Sequence, residues 1–119
     1  MGQVGAQTEN DRAIRRFARR LQDGLGVERV LLFGDHLTGA ATEDSEYSLI
    51  LVGDRFAGQA LPDRPIGLHE HFYAVGGNAP LDLICLTPEE FDNAKRRITL
   101  VADVLPEAID LLAEEPAPA

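Results

Sequence analysis

Leu31-Leu32-Phe33-Gly34-Asp35-His36-Leu37-Thr38-Gly39-Ala40-Ala41-Thr42-Glu43-Asp44-Ser45-Glu46-Tyr47-Ser48-Leu49-Ile50-Leu51-Val52 is the stretch that decides the fold. Val30 to Phe33 is short and fully apolar, which is the pattern of a buried strand, and Gly34 closes it. Asp35 to Ala41 reads as a short helix, with Asp35 as its N-cap, since aspartate caps well and suits the positive end of a helix dipole. An acidic turn through Thr42, Glu43, Asp44 and Ser45 leads to a second strand, Tyr47 to Val52, which ends at Gly53-Asp54.

Upstream, Ile14, Phe17, Ala18, Leu21 and Leu25 recur at helical spacing and predict an amphipathic helix over 8–25. Thr8 with Asp11 resembles a capping box at its start, and Gly24 and Gly26 stop it. Downstream, Arg55 to Pro80 is rich in proline and glycine, though Leu68, Phe72 and Val75 can line one side of a helix. Leu81 to Thr87 predicts a third strand that runs into Thr87-Pro88-Glu89-Glu90. That sequence is a helix start with threonine as N-cap, proline at the first helical position and glutamate three residues after the cap. One or two helices extend to about Leu105, Pro106 interrupts them, and Ala108 to Leu112 is a final short helix or edge strand. The expectation is an α/β (α+β) protein, a small mixed sheet of three or four strands with helices packed on it. One domain spans 8–113, between flexible termini at 1–7 and 114–119.

The chain has 119 residues and 45% apolar composition, which is ordinary for a single globular core. No apolar run approaches the roughly 20 residues needed to cross a bilayer, and Met1 to Asn10 lacks the pattern of a secretory leader. Cys85 has no cysteine to pair with and lies in an apolar run, so a buried structural thiol is expected in a reducing, cytoplasmic setting. Eleven basic against twenty acidic residues give a net charge of −9, which argues against membranes and general nucleic-acid binding. The charge is uneven: Arg12, Arg15, Arg16, Arg19 and Arg20 fall on the first helix. That face is either solvated surface or a contact patch for an acidic partner.

The glycines Gly34 and Gly39, Ser45, Leu49 and their spacing resemble the signature of minimal nucleotidyltransferases of the polymerase-β superfamily. In that signature an apolar strand is followed by Gly-Ser-Arg-Ala-Arg-Gly, a spacer, Ser-Asp-x-Asp-Leu and a second apolar strand. Leu81-Asp82-Leu83, followed by Thr87-Pro88-Glu89-Glu90, is similar to the segment that carries the family's third carboxylate. The resemblance covers residues 12–112 and implies a nucleotidyltransferase-like fold. In the family, two carboxylates two apart on one strand and a third on its neighbour hold magnesium ions that bridge a triphosphate. The Gly-Ser turn and its arginines bind the phosphates.

At these positions this chain keeps the structural residues and loses most of the chemical ones. Gly34 matches, but the phosphate-binding serine is Asp35, the two arginines are His36 and Thr38, and the paired aspartates are Glu46 and Ser48. Only Asp82 is unchanged. Asp35 sets a negative charge where a triphosphate must sit, and Ser48 supplies neither charge nor affinity for a hard cation. Glu43 and Asp44 belong to the turn and lack the alternation that would aim them beside Asp82.

The resemblance therefore implies either of two functions. One is a catalytically inactive, protein-binding module, antitoxin-like or a scaffold, that pairs with a HEPN-type helical protein or with itself. The other is a residual transferase that moves a nucleotidyl group to a hydroxyl acceptor, using Glu46, Asp82 and magnesium. No cofactor is expected in the first case. Among the remaining residues, His69 and His71 would point apart on a helix, which disfavours a shared metal. Gly76-Gly77-Asn78 reads as a turn before the third strand.

Overall fold

The structure, a computed structural model, describes residues 2–39, 41–42, 45–97, 99–113 and 115–116. In chain order the helices are α1 (Gly2–Leu25), α2 (Asp35–Thr38), α3 (His69–Ala74), α4 (Pro88–Lys95) and α5 (Leu100–Val104). The strands are β1 (Arg29–Phe33), β2 (Tyr47–Val52), β3 (Leu81–Leu86), β4 (Ile109–Asp110) and β5 (Glu115–Pro116). Short 3-10 turns lie at Asp54–Phe56, Leu61–Asp63 and Leu105–Glu107.

The sheet runs β3-β2-β1-β4-β5. β2 pairs antiparallel with β1, Leu32 opposite Leu49 and Phe33 opposite Ser48, and parallel with β3, Ser48 opposite Asp82. A parallel pair needs a crossover, and residues 53–80 supply it. The mixed α+β class expected above is what the chain adopts. The strand count exceeds the expected three or four only through the two-residue ladders β4 and β5.

Alternation sorts the strand side chains onto two cores. Val30, Leu32, Tyr47, Leu49 and Leu51 pack with Ile14, Phe17 and Leu21 of α1, with Phe56 and with Phe72 of α3. Leu31, Phe33, Ile50 and Val52 pack on the other side with Phe91, Val101, Leu105 and Ala108. Each of these large side chains contributes about 1.5–3 kcal/mol by leaving water. Phe17 and Phe72 meet edge to face at 5.6 Å, which joins α1 to α3. Leu68, Phe72 and Val75 do line one side of the crossover helix, as their spacing predicts.

Four local expectations are corrected. α1 begins at Gly2, so Thr8 lies inside the helix and does not cap it, and Asp11 bonds Tyr47 instead. The N-cap of α2 is Gly34 and no side chain caps it; Asp35 is the first helical residue, where its charge still suits the dipole. α2 also ends early, at Gly39 with φ 85°, and not at Ala41. At the C-terminus, Ile109–Asp110 is a strand but not an edge, because Glu115–Pro116 pairs outside it within the expected tail. Residues 114 and 117–119 lie outside the described set. The start of α4 is as expected: Thr87 accepts from the Glu90 amide, and Glu90 returns a bond to the Thr87 amide.

Gly77 closes the turn after α3 against an aromatic ring. A Cβ there would stand 2.3 Å from Cε1 of Phe72, which is fully buried and cannot swing away. Gly77→Ala is therefore expected to lose about 1–3 kcal/mol, read as a lower denaturation midpoint at unchanged slope. An unchanged midpoint would contradict the packing described here.

Candidate functional site

The positions singled out by the resemblance gather where β1 ends and β2 and β3 begin. Gly34 leaves β1 with φ 86° and ψ −154°, and its carbonyl accepts from the amides of Leu37 and Thr38. A Cβ at 34 would stand 3.3 Å from Ser48 Oγ, so backbone and hydroxyl approach closely. A left-handed φ and a close neighbour both require glycine here. Ser48 is flanked by Phe33 on one side and Asp82 on the other. Continuing the alternation one residue back puts Glu46 on the same side of the sheet as Ser48. Glu46, Asp82 and Asp35 are exposed and Ser48 is half-buried. The backbone thus brings Gly34, Ser48 and Asp82 together, with Asp35 on the first turn of α2 beside them. Glu43 and Asp44 lie outside the described residues.

The remaining positions singled out by the resemblance are engaged in local contacts. His36 is half-buried and stacks on Tyr47 at 3.6 Å with planes 6° apart, and its Nε2 bonds the Ser45 carbonyl at 3.0 Å. Tyr47 points to the opposite face from Ser48, is fully buried, and donates its hydroxyl to Asp11 Oδ1 at 2.5 Å. Burial first, then the bond to Asp11 and its charge, push the Tyr47 hydroxyl far above the ordinary phenol range. Tyr47 is a buried neutral donor. Thr38 bonds back to the Asp35 carbonyl.

Magnesium does not fit this donor set. A hydroxyl separates two exposed carboxylates where a hard cation needs several anionic oxygens. Among the described residues no group of three or more histidine, cysteine or acidic side chains converges on one point. His69 and His71 do point apart: His69 bonds the Ala79 carbonyl and stacks on Tyr73, whereas His71 accepts from Arg20. Cys85 is buried, and burial raises its thiol to about 11, as a structural cysteine requires. The arginines of α1 are all exposed.

Sequence reasoning missed Arg64. It sits between two prolines in the crossover, is 8% exposed, and makes a bidentate pair with Glu90. Its guanidinium also donates to the carbonyls of Gln59 and Cys85. Nothing local marks it in a segment otherwise set by proline and glycine. Beside it, beyond the C-terminal ends of β2 and β3, lies an open hollow of about 450 Å³ lined by Asp54, Arg64, Thr87, Glu89 and Asn93 among others. This hollow is at the opposite end of the strands from Ser48 and Asp82.

No protein-family model and no curated protein matches the sequence. Among solved structures, the chain is similar to one described as a candidate nucleotidyltransferase from Sulfolobus solfataricus. The TM-score is 0.54 at 16% identity, over 78% of this chain and 80% of that one. The likeness shows the fold.

The Arg64–Glu90 pair gives a pH signature. Arg64 and the Thr87 amide hold Glu90 down at about 2 from an ordinary 4.5, so the charged form is favoured by folding. The resulting stability is present above about pH 4.5 and is lost as pH falls toward 2. Glu90→Gln keeps the capping bonds but not the charge. It is expected to be less stable than the parent at neutral pH, with the gap closing across that window in denaturant titrations. A gap that does not vary with pH would contradict the pairing.

Proposed function

We propose that this chain is a nucleotidyltransferase-fold protein that no longer transfers nucleotides and acts through protein contacts, as an antitoxin-like or scaffold module. The observation that carries the reading is the pairing of Ser48 with Asp82. At the strand position where the fold's chemistry needs a carboxylate beside the third acid, this chain presents a hydroxyl against the Gly34 turn. Asp35 adds repulsion toward a triphosphate, and His36 is committed to Tyr47 and Ser45. What remains is a folded scaffold whose surface charges are separated. The exposed arginines of α1 are the main basic cluster on a chain of net charge −9. Such a face steers an acidic surface, whether of a HEPN-type helical partner or of a second copy. The residual transferase, with magnesium on Glu46 and Asp82, has no observation in its favour and is an outcome of the test.

Calorimetric titration with magnesium and each of the four ribonucleoside triphosphates, at millimolar ligand, is expected to show no saturable binding. Saturable binding would overturn the reading. Asp35→Ser, Glu46→Asp and Ser48→Asp combined are expected to restore metal-dependent triphosphate binding to a folded domain. A triple variant that folds without binding would contradict the claim of an intact scaffold, with the His36–Tyr47 stack the first suspect. On the protein side, light scattering at low and high salt and recovery of complexes from cells are expected to show a salt-sensitive assembly. Reversing Arg16 and Arg19 to glutamate is expected to abolish it. A monomer under all conditions, with nothing bound, would remove the protein-binding role.

A further inference from the structure

β3 is the outer strand of the sheet, and the direction of its backbone groups can be read from its bonds to β2. Tyr47 donates to the Pro80 carbonyl and Gly53 to the Leu86 carbonyl, so the even-numbered residues of β3 face β2. Leu81, Leu83 and Cys85 therefore turn their N–H and C=O groups outward. The Arg64 guanidinium confirms this, since it bonds the Cys85 carbonyl from outside the sheet at 3.1 Å. Arg64 thus guards the C-terminal half of the edge. No strand among the described residues pairs with the N-terminal half. Edges are usually blunted by charged side chains, proline, a bulge or a cover, and of these Leu81 to Leu83 carries only the single charge of Asp82.

We propose that this half-edge takes an extended segment of a partner protein, added antiparallel beside Leu81 and Leu83, with a lysine or arginine opposite Asp82. Hydrogen-bonded pairs form at Leu81 and Leu83, so the residue facing Asp82 falls in a non-hydrogen-bonded pair, where side chains come closest. Asp82 is exposed, so a basic side chain there is favoured and an acidic one is repelled. Exposed Tyr73 adds an apolar shoulder at the start of the strand, held there by its stack on His69, which bonds the Ala79 carbonyl. A second copy of this chain fits poorly. Pairing centred on residue 82 sets Asp82 against its own copy, and pairing centred on 83 needs the Cys85 carbonyl that Arg64 holds. The segment class is thus a basic, β-prone strand. This rests on the protein-binding half of the function proposed above and not on the loss of catalysis. It is independent of the α1 face, which reversal of Arg16 and Arg19 reads separately.

The test is amide hydrogen exchange on the full chain with two short blocked peptides of alternating valine and threonine, one with a central lysine and one with a central glutamate. In the free protein the amides of Leu81 and Leu83 are expected to exchange fast. The lysine peptide is expected to slow both about tenfold and to bind about fivefold more tightly than the glutamate peptide. Asp82→Lys, an exposed change that leaves the core intact, is expected to reverse that preference, and Leu83→Pro to abolish protection. Slow exchange at both amides before any peptide is added would overturn the proposal. So would exchange that depends on protein concentration, no protection by either peptide, or equal protection by both in parent and Asp82→Lys.

Discussion

Strand β2 is hydrogen-bonded along both edges, antiparallel to β1 and parallel to β3, and from Leu49 to Val52 it is buried on both faces. Such a strand has no freedom of register: a slip of one residue would exchange the α1–α3 core for the α4–α5 core at every position. Much of the rest follows from that. The antiparallel side needs only the short α2 and a turn to reverse direction, while the parallel side requires the long crossover that carries α3. The same register brings Ser48 beside Asp82 and under Gly34, so the candidate site is a consequence of how β2 is paired.

The site and the packing divide the residues of this region between them. Gly34 is retained because the chain must turn with a positive φ against Ser48. Tyr47 faces the opposite core and ties β2 to α1 through Asp11, and His36 lies flat on its ring. These contacts engage positions singled out by the resemblance in packing. On the other side, a position that carries a carboxylate in a working site carries a hydroxyl. A charged pair beside Asp82 without a metal would cost stability through repulsion, and Ser48 avoids that cost.

How much of this was legible in the sequence depended on range. The capping box at Thr87 and Glu90, the strands 30–33 and 47–52 and the arginine face of α1 are short-range patterns, and all are found as read. The meeting of Gly34, Ser48 and Asp82 was legible only through the family resemblance, because nothing local sets the register of residue 48 against residue 82. Arg64 was invisible: its partners lie at 59, 85 and 90, brought near by a crossover whose path proline and glycine leave undetermined. Asp11 was misread as half of a capping box because its partner, Tyr47, is 36 residues away. The two-residue strands β4 and β5 carry too few residues for periodicity to register.

We propose that β2 and β3 bring Gly34, Ser48 and Asp82 together without a capacity for metal. Manganese(II) titration followed by amide NMR tests it directly, because the paramagnetic ion broadens only nearby amides. No selective broadening is expected at Gly34, Ser48 and Asp82 in the parent chain at submillimolar manganese. Selective, saturable broadening of those amides in the parent chain would contradict it.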